Sequence, residues 1–307
     1  MSYFIVEFII LLPQMLWEFV RSGLRLVLPV SWIAKSVVGE RVLITGAGGG
    51  LGYQIATEFA RKGAELVLWD INDELNSKTA DAVEELGAKV TTFKCDISKR
   101  DEVYCVAERV KKEVGEIDIL VNNAGIVSGK RLMDIPDERI IKTMEINSLA
   151  HVWTLKAFLP HMMAKNHGHI VTIASIAGNF GLVRLSDYCM SKFAAQGFHE
   201  SMALEMVAEG ATDVKFTVVN PYLITTGMFD GVKIKYPFII PSLAPEQVGR
   251  KVVNAVLTNQ EVVVLPWSMN LFVYLKSFMP IQVLFMISKL FGVLHSMDEF
   301  VGRSKKD

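Results

Sequence analysis

The chain has 307 residues, a formal net charge of −1 and three cysteines, Cys95, Cys105 and Cys189. The near-neutral balance offers no electrostatic footprint for nucleic acid, and sparse, unpaired thiols point to a reducing compartment without a disulfide framework. The length suits one α/β unit with extensions, large enough to bury a substantial core.

The N-terminal segment is oily. From Tyr3 to Val20 the strongly polar residues are Glu7, Gln14 and Glu18, which with Arg21 and Arg25 share one helical face. A wide apolar face with a narrow polar stripe suits a helix lying in a membrane interface. Glu7 and Pro13 leave the run short of the about 20 apolar residues of a span. No basic n-region or small-residue cleavage site marks a signal peptide. A spanning helix and a helix docked on the protein's own core are the alternatives.

Next comes the apolar run Arg41-Val-Leu-Ile, then Thr45-Gly-Ala-Gly-Gly-Gly-Leu-Gly52. Gly46, Gly50 and Gly52 mark a strand-to-helix turn where backbone approaches a ligand that a Cβ would exclude. The helix starting near Gly50 aims free N–H groups and its positive dipole end at phosphate. Thr45 and Leu51 belong to the same turn. Glu65-Leu-Val-Leu-Trp-Asp70 is a second apolar run, ending in an acid about 20 residues after the glycines, where a carboxylate binds ribose hydroxyls and repels a 2′-phosphate. Asp70 therefore argues for NAD over NADP. A helix cap is the plain reading of that acid. After a third run, Asp96 and Ile97 lie where an adenine would sit. Ile117 to Val121 is a fourth run and ends in Asn122 and Asn123.

Seven apolar runs, near 41–45, 65–69, 89–94, 117–121, 169–174, 214–219 and 261–265, alternate with stretches of helical period such as 73–86 and 100–114. Alternating βα order predicts an α/β fold with a doubly wound parallel sheet, of Rossmann type. His161, His167 and His169 cluster before the fifth run. No Cys or acid completes a metal ligand set there, so a surface loop is expected and no metal.

Tyr188 and Lys192 stand four apart, with Ser175 thirteen residues before the tyrosine. Positions i and i+4 of a helix share a face, so the ammonium lies beside the phenol. A nearby cation favours phenolate and draws a reference pKa of about 10 toward neutrality. Tyr188 is thereby a candidate general base.

Over about residues 38–265 these motifs resemble the short-chain dehydrogenase/reductase family. The resemblance implies a catalytic tetrad of Asn147, Ser175, Tyr188 and Lys192. Ser175 would hydrogen-bond the substrate oxygen, Tyr188 exchange the proton, Lys192 also hold the nicotinamide ribose, and Asn147 fix a relay water. Asn122 and Asn123 would steady the central strand beside the cofactor. Pro221 follows the sixth run, but Tyr222 stands where the family often has glycine, near the nicotinamide. Met228 and Phe229, with Tyr236-Pro-Phe-Ile-Ile240, form an oily segment that covers the substrate in this family. Apolar lids match apolar substrates.

The C-terminal stretch 271–294 is mostly apolar and broken at Pro280. The chain is thus divided into a membrane-anchoring segment, 1–37, a catalytic domain, 38–265, and an apolar helical segment with a basic tail, 266–307. Plain core or a homodimer interface would use the same apolar residues. Val67-Leu-Trp-Asp-Ile-Asn72, Gly125-Ile-Val-Ser-Gly-Lys130, Lys156-Ala-Phe-Leu-Pro160, His167-Gly-His-Ile-Val171, Asp187-Tyr-Cys, Thr226-Gly-Met-Phe229 and Gly292-Val-Leu-His-Ser-Met297 are similar to the membrane-associated retinol dehydrogenases, and more distantly to hydroxysteroid dehydrogenases. That likeness implies oxidation of all-trans-retinol to retinal with NAD at endoplasmic-reticulum or lipid-droplet membranes, the domain facing the cytosol. The residues alone reach a lipophilic secondary or allylic alcohol. A hydroxysteroid, a long-chain alcohol, or a catalytically weak lipid-droplet surface protein are the alternatives.

Overall fold

The computed structural model describes residues 2–302. One parallel sheet holds β1 Arg41–Thr45, β2 Glu65–Asp70, β3 Val90–Lys94, β4 Ile119–Asn122, β5 Gly168–Ile173, β6 Val214–Pro221 and β7 Val262–Leu265. The seven predicted strands are all present, their ends shifted by at most two residues. In chain order the helices are α1 Ser2–Val27, α2 Val30–Ile33, α3 Gly50–Ala60, α4 Asp73–Glu84, α5 Arg100–Glu113, α6 Asp137–Met144, α7 Ala150–Lys165, α8 Ser186–Ala208, α9 Pro245–Leu257, α10 Met269–Lys276 and α11 Ile281–Leu290. A π turn, Glu145–Leu149, joins α6 to α7.

Strand order is β3-β2-β1-β4-β5-β6-β7. The chain builds outward from β1 through β2 and β3, then returns to lay β4 on the other flank of β1. Connections diverge at that reversal and leave a crevice beyond the carboxyl ends of β1 and β4, where open α/β sheets bind ligands.

Side chains alternate across each strand, and both faces are buried, as parallel sheets require. Val42, Ile44, Leu66, Leu68, Ile119 and Val121 pack with Ile55 and Phe59 of α3 and Val252 and Val256 of α9. Leu43, Val67, Trp69, Leu120 and Ile170 face the opposite layer, with Val106 and Val110 of α5 and Phe158 and Met162 of α7. Asn72 caps α4 by accepting from the Leu75 N–H at 3.1 Å, with Asp73 and Glu74 favourably placed in the first turn.

His169 is not in a surface loop. It lies inside β5, fully buried. Thr217 Oγ1 donates to the Gln260 carbonyl at 2.7 Å, so it accepts from His169 Nε2 at 2.8 Å. Lys35 Nζ then donates to Nδ1 at 3.3 Å. The Gly168-His169 pair starts a strand because parallel pairing with β4 and β6 supplies its backbone partners. His161 and His167 stay peripheral, facing Glu116 at 3.9 Å and Glu40 at 3.5 Å.

Among the described residues, the N-terminal helix buries none of its apolar window against the body. Pro13 lies inside α1 without interrupting it, and no part of the apolar window within Tyr3–Arg25 is buried. With 23 residues at a mean hydropathy of 1.6, that stretch is long and apolar enough to cross a membrane, longer than Glu7 and Pro13 led us to expect. Its described tie to the body is the Arg25 guanidinium, which donates to the Asn259 carbonyl at 3.1 Å. Val37, by contrast, belongs to the core.

Burial drives three histidines neutral. His151 falls to about 3, His199 to about 4, and His169 well below its ordinary value, each chiefly through desolvation. Below pH about 6.5 the unfolded chain takes up protons that the folded chain refuses, so stability falls with falling pH. For His199 this loss develops from pH about 6.5 down to about 4. Its Nδ1 pairs with Thr172 Oγ1 at 2.9 Å. In His199→Gln the acid-side decline should be shallower by roughly 3 kcal/mol over that window, as read from urea midpoints at stepped pH. A variant with the wild-type slope would contradict the assignment.

Candidate active site

The glycine turn leaves β1 and enters α3 without a capping side chain. The first N–H groups of the helix are therefore left for a ligand. Gly46 has φ +66°, and a Cβ there would meet Ala124 at 2.8 Å. At Gly52 a Cβ would lie 2.1 Å from the Gly46 carbonyl oxygen. The two turns of backbone touch, and only glycine permits it.

A cleft of about 390 Å³ opens over this turn. Gly46, Gly50, Leu51, Asp70, Asp96, Ile97 and Asn123 line one part of it, and Ser175, Tyr188, Lys192, Pro221, Tyr222, Met228 and Phe229 line the rest. Three predicted residues lie outside the lining and act behind it. Thr45 Oγ1 accepts from the N–H groups of Asn123 at 3.0 Å and Ala124 at 3.2 Å. Gly52 gives α3 its close approach. Asn147 Oδ1 accepts from the Ile126 N–H at 2.8 Å, while its amide donates to the Ile126 carbonyl at 2.9 Å and to Ser191 Oγ at 3.0 Å. Protein partners thus engage both ends of its side chain, which ties the loop at Ile126 to the helix carrying Ser191.

Asp70 faces the cleft with structured surroundings. Its Oδ2 accepts from the Gly48 N–H at 2.9 Å and its Oδ1 from the Asn72 N–H at 2.8 Å. Remaining lone pairs suit ribose hydroxyls. Lys192 is the one lysine or arginine among the described residues lining the cleft, and it sits on the catalytic side rather than beside Asp70. Asp96 is held by Ser98 Oγ at 2.6 Å and Lys142 Nζ at 3.3 Å. Burial alone would raise its carboxyl, yet those donors hold it below the ordinary range. The glycine cradle, uncapped helix and inward carboxylate fit a nicotinamide dinucleotide.

On the catalytic side α8 carries Tyr188 and Lys192 one turn apart. Lys192 Nζ donates to the Ile173 carbonyl at 2.8 Å and stands 5.7 Å from the centroid of the Tyr188 ring. The charge balance differs from the sequence expectation. Burial pushes the Tyr188 phenol up to about 12, with the Ser175 hydrogen bond opposing it. Burial also lowers Lys192 to about 8. Desolvation is the leading cause for both, because both groups leave water together.

Sequence reasoning missed Ile71, Ile126, Ile224 and Thr226 in the lining. It also missed Ser191, whose hydroxyl donates to the Tyr188 carbonyl at 2.7 Å, and Asp187, which accepts from Ser128 Oγ at 2.6 Å. Ile71 could have been found as the neighbour of the strand-end acid. Ile126, Asp187 and Thr226 fall within the motifs that carry the family likeness, whereas Ser191 and Ile224 carry no local signal.

A doubly wound sheet, a glycine turn at its switch point and a Ser-Tyr-Lys set on the far wall define a nucleotide-dependent short-chain oxidoreductase. Residues 40–236 match the short chain dehydrogenase family, and the chain belongs to it. Epidermal retinol dehydrogenase 2 of Mus musculus is 50% identical over 273 residues, covering 89% of this chain and 88% of that protein. Retinol dehydrogenase 10 of Homo sapiens is 42% identical, covering 98% of this chain and 96% of that protein. A short chain dehydrogenase/reductase from Burkholderia phymatum, solved with NAD, shares the fold at TM-score 0.72 and 22% identity, covering 80% of this chain and 95% of that one. A metagenomic short-chain oxidoreductase solved with NADP aligns at TM-score 0.62 and 26% identity, covering 75% and 97%.

Gly52→Ala should disrupt the turn more than any neighbouring small-to-alanine change. The added methyl forces the Gly46 carbonyl away, at roughly 1–3 kcal/mol of overpacking. Dinucleotide affinity, measured by quenching of tryptophan fluorescence, should fall at least tenfold, a loss of about 1.4 kcal/mol. Wild-type affinity in this variant would mean that the turn does not cradle the ligand.

Proposed function

We propose that this enzyme oxidises a lipophilic alcohol with NAD, and that all-trans-retinol is its substrate. The observation that carries the reading is the wall facing Ser175 and Tyr188. It consists of Tyr222, Ile224, Met228 and Phe229, and offers bulk without charge. Apolar surface recognises apolar surface in proportion to the area buried, at about 25 cal/mol per Å². Near full-length similarity to proteins named retinol dehydrogenase supports the same substrate class.

In this reading Ser175 Oγ holds the carbinol oxygen and Tyr188 accepts its proton. Lys192 steadies the phenolate and binds ribose. Asn147 positions the loop carrying Ile126 and, through Ser191, the helix carrying Tyr188. A bound oxidised nicotinamide dinucleotide supplies the hydride acceptor and a positive charge that favours phenolate. Asp70 selects NAD, since its carboxylate repels a 2′-phosphate and, among the described residues, no lysine or arginine lines that side of the cleft. Hydroxysteroids and long-chain alcohols are the competing substrates.

With NAD at saturation, retinol should be turned over faster than estradiol or dodecanol, and NAD should outperform NADP. Tyr188→Phe should still bind NAD while turnover falls at least about 100-fold, the low end of general acid–base contributions. Near-normal turnover in that variant would remove Tyr188 from its role, and a wild-type preference for NADP would remove Asp70 from its own.

Membrane attachment belongs to the same proposal. The unburied α1 and the exposed Leu271, Tyr274, Phe278, Phe285 and Met286 of the α10–α11 region give a large apolar surface. A catalytic domain on the cytosolic side of the endoplasmic reticulum or of a lipid droplet would meet its substrate there. Deleting residues 1–28 should weaken binding to phosphatidylcholine vesicles, and deleting 1–28 while changing Phe278 and Phe285 to Ser should abolish it in a flotation assay. If the doubly altered protein still floats, or if the intact chain forms a stable dimer through these residues instead, the attachment model is wrong.

A further inference from the structure

The lid that presents Phe229 has little structure of its own. Between Thr225 and Lys235 its internal backbone bonds are short turns, Thr226 N–H to the Ile224 carbonyl at 2.9 Å, Asp230 N–H to Gly227 at 3.4 Å and Val232 N–H to Phe229 at 3.2 Å. Gly227 and Gly231 are left-handed, at φ +81° and +86°. What holds the lid is a strap formed by residues 296–302. The Val301 and Gly302 N–H groups donate to the Asp230 carbonyl at 2.9 and 3.2 Å, and the Lys233 N–H donates to the Ser296 carbonyl at 2.9 Å. Lys233 also pairs with Glu299. The strap presses so closely that a Cβ on Gly231 would lie 1.9 Å from the Glu299 carbonyl oxygen.

The strap is anchored in turn beside the catalytic helix. Met297 is buried in one cluster with Leu185, Tyr188 and Cys189. Arg184, just before α8, adopts a left-handed φ of +59°, unusual for a residue with a side chain. Its guanidinium reaches the Met297 carbonyl at 3.3 Å and the Asp298 carboxylate at 2.6 Å. Phe300 then fills the space over Gly129, where a Cβ would sit 2.0 Å from its ring. Three rings follow in series. Phe300 meets Phe229 edge-on at 6.5 Å, and Phe229 meets Tyr188 edge-on at 5.7 Å. Phe229 and Tyr188 line the cleft, whereas Phe300 stands behind them.

We propose that the strap sets which alcohols the site accepts, with Phe300 as a positioning residue that pins Phe229 against Tyr188 and fixes the apolar wall. This rests on the reading that Tyr188 and Phe229 border the alcohol. A loosened wall costs an alcohol with a long apolar body its contacts. An alcohol that is little more than the carbinol loses much less.

The test uses the full-length protein in detergent micelles with saturating NAD. Two substrates are compared, all-trans-retinol and 3-methylbut-2-en-1-ol, which presents the same allylic carbinol without the chain. In Phe300→Ala the ratio of kcat/KM for retinol to that for the short alcohol should fall roughly tenfold, the scale on which a hydrophobic pocket discriminates. Amide hydrogen exchange over residues 227–233 should rise in the same variant. Phe300→Leu, which keeps bulk, should restore most of both, and Arg184→Met, which cuts the anchor but keeps the ring, should shift both in the same direction by less. Unchanged exchange in Phe300→Ala, or an equal fall for the two alcohols, overturns the proposal. Wild-type protein that oxidises neither alcohol overturns the functional reading instead, and the exchange comparison still decides whether the strap holds the lid.

Discussion

Everything in the site depends on how the paired strands β1 and β4 are joined at their carboxyl ends. Thr45 and Asn123 make that junction. The threonine hydroxyl accepts two backbone N–H groups from the β4 side, and the asparagine amide donates to the carbonyls of Thr45 at 2.9 Å and Gly46 at 3.1 Å. Backbone groups that would otherwise be orphaned at the ends of two buried strands are satisfied by each other's side chains. The Gly46 carbonyl is thereby fixed, and α3 can pack on it only through Gly52. One small polar junction thus sets the mouth of the cleft, the direction of α3 and the room for a dinucleotide.

The other side of the site is built at the expense of stability. Lys192 is buried with the Ile173 carbonyl as its described hydrogen-bond partner, and a buried ammonium costs free energy unless its pKa falls. His151 and His199 lie in the same interior and are held uncharged. Hydrogen bonds from Asn147 to Ser191, from Ser148 to the Ser191 carbonyl, and from Ser191 to the Tyr188 carbonyl pin the helix that carries these groups. That rigidity keeps a tyrosine and a lysine one turn apart in a place where neither ionised form is comfortable. A ligand of the right charge then has a large effect, because little water is present to screen it.

Outside the sheet the chain spends its apolar residues differently. Core strands are covered on both faces, whereas α1, α10, α11 and Phe278 between the last two leave large side chains exposed. Isolated exposed apolar residues are ordinary, but a continuous surface of them calls for a partner. The lid and its strap lie between these two regimes, with Phe229 facing the cleft and Phe300 bracing it from behind.

The sheet and the glycine turn were legible in the sequence because their signals are local. Apolar runs of strand length, a βα alternation and the turn glycines Gly46, Gly50 and Gly52 specify β1, α3 and Asp70 without knowledge of the rest. Tyr188 and Lys192 were legible for the same reason, since helical spacing alone puts them on one face. What tertiary structure alone decided was everything set by distant neighbours. His169 stood at the start of the fifth predicted run and also in the histidine cluster read as a loop, and it is a core strand residue, because β4 and β6 pair with it and Thr217 satisfies its ring. Asn147 kept its place in the site, but its amide is engaged by Ile126 and Ser191, which no spacing rule connects. The ionisation of Tyr188 and Lys192 followed burial rather than their pairing, and burial is a property of the whole fold. Phe300 reached Phe229 across 71 positions of sequence for the same reason. Periodicity reports which residues seek the interior, and only the closed fold determines which of them meet there.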